Sequence, residues 1–194
     1  MSQQDAVPHE PTPYERILET ASTLFYEEGI HATGIDRIVK ESRVAKMSLY
    51  KYFPSKDHLV LTYLRQRDMR WRAWLEEAVN RLAATPPARI LALFGALDEW
   101  FHSSDFHGCG FINAAAEYNG EEHAVHAIVN EHKRLVHDYV KRLVQAADII
   151  EVERFTTQIC LLMDGAIVTA LTQKDVDAAS AARQIAGMLL MQAR

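Results

Sequence analysis

A chain of 194 residues with 48% hydrophobic and 24% charged residues has the composition of a packed globular protein and not of a disordered one. Its formal net charge of −5 excludes a bulk attraction for nucleic acid, so any contact with DNA has to come from a local patch. Two cysteines, Cys109 and Cys160, are too few for a disulfide framework and fit a reducing compartment.

Residues 1–11 are polar, with neither a basic n-region nor an apolar h-region, and are expected to form a flexible N-terminus with no signal peptide. With 8 glycines and 6 prolines, turns are few and elements long, which favours an all-α chain. Thr12-Pro13-Tyr14-Glu15 is a helix start: a capping threonine, a proline at the first helical position and a capping-box carboxylate. Tyr14, Ile17, Leu18, Ala21, Leu24 and Phe25 recur at helical spacing after it, and Gly29 is a natural stop. Thr33-Gly34-Ile35-Asp36 opens a second, short helix. Ser42-Arg43-Val44 leaves room only for a tight turn before a third helix over Ala45–Phe53. Two helices around so short a turn form a helix-turn-helix, which lays its second helix in the major groove of DNA. The local patch is here: Arg37, Lys40, Arg43, Lys46, Lys51 and Lys56 stand against only Asp36, Glu41 and Asp57.

Pro54 ends the third helix, and Ser55 caps a long fourth that runs to about Leu82. Beyond the break at Ala83–Pro87, helices are expected at about Ala88–Phe101, Phe111–Tyr118, Glu121–Ala147, Glu151–Gln173 and Asp177–Gln192, about nine in all. The most apolar run, Ile159–Leu171, is interrupted by Asp164 and too short to span a bilayer, so the chain is expected to be cytoplasmic with no membrane partner.

The stretch Thr33–Val39 followed by Val44–Lys56 resembles the DNA-binding domain of TetR-family transcriptional regulators. The resemblance is close over Tyr14–Leu61, and the later helices have the family's length and order. It implies three parts: a flexible N-terminus over residues 1–11, a helix-turn-helix domain over residues 12–58, and a helical effector-binding and dimerisation domain over residues 59–194. It also assigns roles. Thr33 matches a residue that touches a phosphate from the start of the second helix. Lys46, Met47 and Ser48 match the base-reading start of the recognition helix. Tyr50 and Tyr52 match aromatic residues at the phosphates, and Lys56 a phosphate-binding lysine. Lys51 shares the exposed side of the recognition helix. Two positions depart from the pattern. Arg43 stands where many members have glycine, and is placed to gain a phosphate contact instead. Ala45 stands where a capping hydroxyl is usual, at a loss of about 1 kcal/mol of capping.

In the second half, Phe155, Ile159, Leu162, Ala166 and Ala170 form one apolar stripe; Ala178, Ala182, Ile185, Leu189 and Leu190 form another. These are either an interface or intrachain core; in proteins that this chain resembles, the last two helices pair with their symmetry mates in a homodimer, whose twofold axis suits a palindromic operator. Gly108–Glu117 resembles a Gly-Cys-x-Phe-Ile-Asn-Ala stretch found in one group of the family. Asn113 and Glu117 lie on one helical face. With Trp74, Trp100, Phe101, Cys109, Phe111 and Tyr118 they either line an effector pocket or, for the two polar residues, bond neighbouring helices. Cys109 precedes a helix, where a thiolate is favoured; it reads as an electrophile or oxidant sensor or as an inert buried thiol. His123 and His126 have a metal-compatible spacing, but no ligand set of known spacing surrounds them. No phosphate loop, nucleophile–base pair, cofactor motif or metal motif is present. The expectation is a non-enzymatic repressor without cofactor or metal, whose partners are double-stranded operator DNA, a second copy of itself and a small-molecule effector.

Overall fold

The computed structural model describes residues 10–118, 120 and 124–193. Among these it holds nine helices and no strand, so the all-α expectation is met. The expected flexible N-terminus falls almost wholly, and His123 and the expected start at Glu121 entirely, outside the described residues. Contacts divide the chain into two units, one ending at Tyr63 and one beginning at Leu64.

The first unit holds α1 (Pro13–Glu27), α2 (Ile35–Ser42), α3 (Lys46–Tyr52) and the first turns of α4 (Lys56–Leu82). α1 starts through a reciprocal capping box. The Thr12 backbone N–H donates to Glu15 Oε2 at 2.7 Å, and the Glu15 N–H donates to Thr12 Oγ1 at 3.2 Å. At the head of α4 the His58 N–H donates to Ser55 Oγ at 3.1 Å. Ile17, Ala21, Ile38, Leu49 and Phe53 meet in a core from which water is excluded, and Leu59, Val60 and Tyr63 of α4 join the buried set. The ring of Tyr63 lies 5.6 Å from that of Phe25. These contacts carry the unit to Tyr63, five residues past the boundary read at residue 58.

The second unit holds the rest of α4 with α5 (Pro86–Phe101), α6 (Gly110–Glu117), α7 (Ala124–Ala146), α8 (Val152–Gln173) and α9 (Ala178–Gln192). α5 packs on α7, α8 and α9, and α7 on α6 and α8. Taken whole, α8 is long and apolar enough to cross a membrane by length and composition, whereas the run Ile159–Leu171 within it is too short. Part of that apolarity is core: Phe155, Ile159, Met163, Ala166 and Ala170 are buried, while Leu161, Val168 and Leu171 are exposed.

The turn between α2 and α3 explains why glycine is common there. Arg43 closes α2 in the left-handed conformation, with φ 54° and ψ 39°. A side chain in that region carries a steric cost of about 1 kcal/mol that glycine does not. Ala45, as expected, gives α3 no side-chain cap. Arg43→Gly should therefore raise the unfolding free energy by about 0.5–1 kcal/mol, while Arg43→Val should lower it by about 1 kcal/mol or more. Urea denaturation of the two variants beside the parent protein measures both signs.

Candidate functional site

In the first unit the candidate DNA-contacting face is carried by α3 and its flanks. Leu49 and Phe53, four residues apart, are fully buried and fix the helix to the core. Their burial turns the other side of α3 outward: Met47 is 82% exposed, and Tyr50, Lys51 and Lys46 are also exposed. Ser48 and Lys56 are half-buried and Arg43 exposed. Tyr52 leans edge-on against Tyr14 at 5.9 Å, and Tyr14 stacks on Phe53 at 5.0 Å, so Tyr52 is held against the small core while remaining partly exposed. Lys46 Nζ lies 2.6 Å from Asp36 Oδ1, with both side chains open to water. Such an exposed pair holds the lysine weakly. Arg37 is more fully engaged, by Glu28 and Glu41.

Thr33, expected at a phosphate from the start of α2, is turned inward. Its side chain is fully buried, and its hydroxyl donates to the Gly29 carbonyl at 2.8 Å, with the Leu24 carbonyl at 3.3 Å. It ties the end of α1 to the start of α2 and does not present its hydroxyl to solvent. The physical reason is the tight connection after Gly29, whose carbonyl needs a partner once buried.

In the second unit the structure divides the expected pocket residues. Trp74, Trp100 and Phe101 form an aromatic cluster with Phe106: Trp100 meets Phe106 at 5.1 Å edge-on, and Phe101 meets it at 4.9 Å. This is packing under the loop between α5 and α6. Asn113 Nδ2 donates to the His107 carbonyl at 2.9 Å and so binds that loop to α6. Gly108 has φ +79°, and a Cβ there would come within 2.5 Å of Leu171 on α8. Phe111 is buried and stacks on His132 at 3.6 Å, nearly parallel. The Tyr118 carbonyl accepts a hydrogen bond from His126 Nε2 at 2.9 Å. Glu117 is half-buried on the same helix as Asn113. Among the described residues no three His, Cys, Asp or Glu side chains are grouped so as to hold a metal ion.

A cavity of about 180 Å³ lies beside this packing. Of the expected residues only Cys109, the buried N-cap of α6, reaches it. The remaining wall comes from Trp71 of α4, from His132, Lys133, Val136 and His137 of α7, and from Cys160, Met163, Asp164 and Ile167 of α8. Sequence spacing within one segment does not reveal a cavity assembled from four places in the chain. One signal was available: Cys160, Met163, Asp164 and Ile167 recur at three- and four-residue intervals, placing them on one side of α8.

The chemistry of the cavity is set by His132, which is 3% exposed. Its Nδ1 lies 2.8 Å from Asp68 Oδ1, and Arg72 clasps the same carboxylate with Nε at 2.8 Å and Nη2 at 2.7 Å. Burial alone would raise the Asp68 carboxyl. The hydrogen bonds from Arg72 and His132 outweigh it and hold the group below its ordinary value, so it is a carboxylate. For His132 burial wins over the carboxylate and lowers the imidazole to about 4. At neutral pH the pair is thus a carboxylate accepting the Nδ1 hydrogen of a neutral imidazole, which leaves Nε2 with a free lone pair. Cys160 is pushed up to about 12 by burial, with Asp164 adding to the shift, and stays a thiol.

Because His132 is held neutral in the fold and is protonated more readily in the unfolded chain, its contribution is present above pH 6.5 and lost as pH falls towards about 4. Denaturant titrations at pH 6.5 and pH 4.5 should show this as a loss of about 2–3 kcal/mol that the His132→Gln variant does not show. Equal losses in the two proteins would remove His132 from the balance.

Comparison with known proteins agrees with both units. Residues 17–63 match the sequence profile of bacterial regulatory proteins of the tetR family, and residues 86–186 match that of the tetracyclin repressor-like C-terminal domain. A solved TetR-family transcriptional regulator from Streptomyces coelicolor is 31% identical, with a TM-score of 0.85 over 93% of this chain and 95% of its own. The HTH-type transcriptional regulator LmrA of Bacillus subtilis is 28% identical over 83% of this chain and 87% of its own. The HTH-type transcriptional regulator YjdC of Escherichia coli is 23% identical over 85% and 88%.

Proposed function

Since the chain belongs to the TetR family of bacterial regulatory proteins, and is therefore a DNA-binding transcriptional regulator, we propose that it is a repressor. In this reading it is a non-enzymatic cytoplasmic homodimer that binds a palindromic operator and leaves it when a small molecule occupies the second unit. We read Gly108–Ala114 as the mark of one group within that family.

The observation that carries the DNA reading is the outward face of α3. A helix this short, held by Leu49 and Phe53, spends no buried contact on Met47, Tyr50 or Lys51. Met47 and Ser48 stand in its first turn, where base edges are reached, while Arg43, Tyr50, Lys51, Tyr52 and Lys56 supply cations and hydroxyls for phosphates. Lys46 exchanges Asp36 for DNA in the same movement.

The dimer reading rests on the faces of α8 and α9 that the chain leaves uncovered. The stripes named from the sequence divide: Phe155, Ile159, Ala166, Ala170, Ala178, Ala182 and Leu190 are buried within the protomer, whereas Ile185 is exposed. Leu161 is 67% and Met188 53% exposed, with Val168 beside them in the exposed set. A Cβ at Gly165 or Gly187 would meet nothing within 4 Å. Large apolar side chains separated by glycine gaps suit close approach of a second pair of helices, and an uncovered apolar face of this kind is unusual for a monomer.

Selection of bound sequences from a random DNA library should return a palindrome, and Met47→Ala should change the selected bases more than the general affinity. Lys56→Ala should weaken binding to every sequence and lower the salt slope of log affinity by about one. Leu161→Glu and Met188→Glu should convert the dimer to a folded monomer by light scattering and weaken operator binding by at least about tenfold. A palindrome bound equally well by a monomeric variant would refute the dimer.

A further inference from the structure

The cavity at His132 is specific enough to name the chemistry of what enters it, an inference that rests on the ligand-responsive reading above. We propose that it takes a small uncharged aromatic molecule bearing a hydroxyl group, a phenol, with the hydroxyl hydrogen donated to His132 Nε2.

Charge is the first constraint. Lys133 Nζ and Asp164 Oδ1, both on the wall, pair with each other at 2.5 Å. Asp68, behind the wall, is matched by Arg72. Each of these charges already has its opposite, so a charged ligand would shed its water and find no free counter-charge.

The second constraint is polarity. The Asp68 carboxylate holds the Nδ1 hydrogen of His132, so the opposite nitrogen is a pure acceptor and favours a ligand that donates. A hydroxyl group can donate to that nitrogen; an ether or a methyl group cannot.

The third is the wall itself. Trp71 and the sulfur atoms of Cys109, Cys160 and Met163 supply polarisable surface, and thiols and thioethers favour the edges and faces of aromatic rings. The volume, about 180 Å³, is of the size that admits one substituted ring, since an apolar cavity of about 150 Å³ holds benzene.

The test uses the full-length protein and three probes that share a 4-ethylphenyl group: 4-ethylphenol, 4-ethylanisole and 4-ethylbenzoate. Calorimetry and quenching of tryptophan fluorescence should show 4-ethylphenol binding at least about tenfold more tightly than either of the others, the hydroxyl hydrogen bond being the difference. The Ile167→Trp variant, which fills the cavity, should lose the binding while still binding operator DNA. His132→Phe should erase the preference for phenol over anisole, and the comparison of probes on the unaltered protein covers the case in which that variant does not fold. Equal binding of phenol and anisole, preference for the carboxylate, or no binding of 4-ethylphenol would overturn the proposal. Operator release separates this idea from the reading beneath it. Selective phenol binding that leaves operator affinity unchanged supports the ligand class and refutes the response; operator release by some other class of molecule, with no phenol bound, does the reverse.

Discussion

Asp68 stands on α4 with Arg72 one turn along the same helix and His132 facing it from α7, and this three-way contact settles most of what the second unit can do. A carboxylate with 13% of its side chain exposed would tend to take up a proton; two donors aimed at it prevent that. The same bond fixes the tautomer of the imidazole and its plane. With the plane fixed, Phe111 of α6 stacks flat on the ring and Trp71 meets it edge-on at 5.5 Å, so α4, α6 and α7 are registered against one another at a single residue. The space left over against α8 is the cavity. Remove the carboxylate and the ring loses its orientation, its stacking partner and its role as acceptor together.

The first unit is organised by the opposite kind of rule, in which each feature is settled by its neighbours in the chain. A capping box begins α1, a single left-handed residue ends α2, and a serine caps α4. For that reason it was legible in the sequence almost to the residue: Leu49 and Phe53 as core, Met47 and Tyr50 as surface, Ala45 as a missing cap. Thr33 is turned inward for a reason of the same scale. A threonine before a helix looks like a residue ready to meet a phosphate, but the carbonyls of Leu24 and Gly29 lie within reach of its hydroxyl and take it inward.

The second unit was legible as helices and much less so as a site. Helical periodicity reports which side of a helix is apolar, and it gave the positions of α5 to α9 within a few residues. It does not report whether that side meets its own chain or another one. Phe155 and Ala166 therefore looked the same as an interface until the fold buried them and left Leu161, Gly165 and Met188 outside. The conspicuous Gly108–Glu117 segment was distinctive for packing more than for binding: Gly108 makes room for Leu171, Asn113 holds the loop, and only Cys109 touches the cavity. His132 and Asp68, 64 positions apart, carry no local signal at all.

α4 would give a ligand in the cavity, as proposed above, its route to the rest of the chain. The helix contributes Tyr63 to the core of the first unit, and within the next two turns it contributes Asp68 and Trp71 to the surroundings of the cavity. A molecule that rearranges Trp71 or His132 thus acts on a helix whose first turns are part of the DNA-binding core. Size limits how strongly. Small ligands gain at most about 1.5 kcal/mol per non-hydrogen atom, and a single ring has few of them. Coupling between sites of this kind commonly amounts to about 1–3 kcal/mol, which lies inside that limit but uses an appreciable part of it. Were such a ligand coupled to DNA in this way, reciprocity would require that DNA weaken the ligand by the same factor, so a regulator built on so small a cavity would respond best to ligand levels well above the affinity of the DNA-free protein.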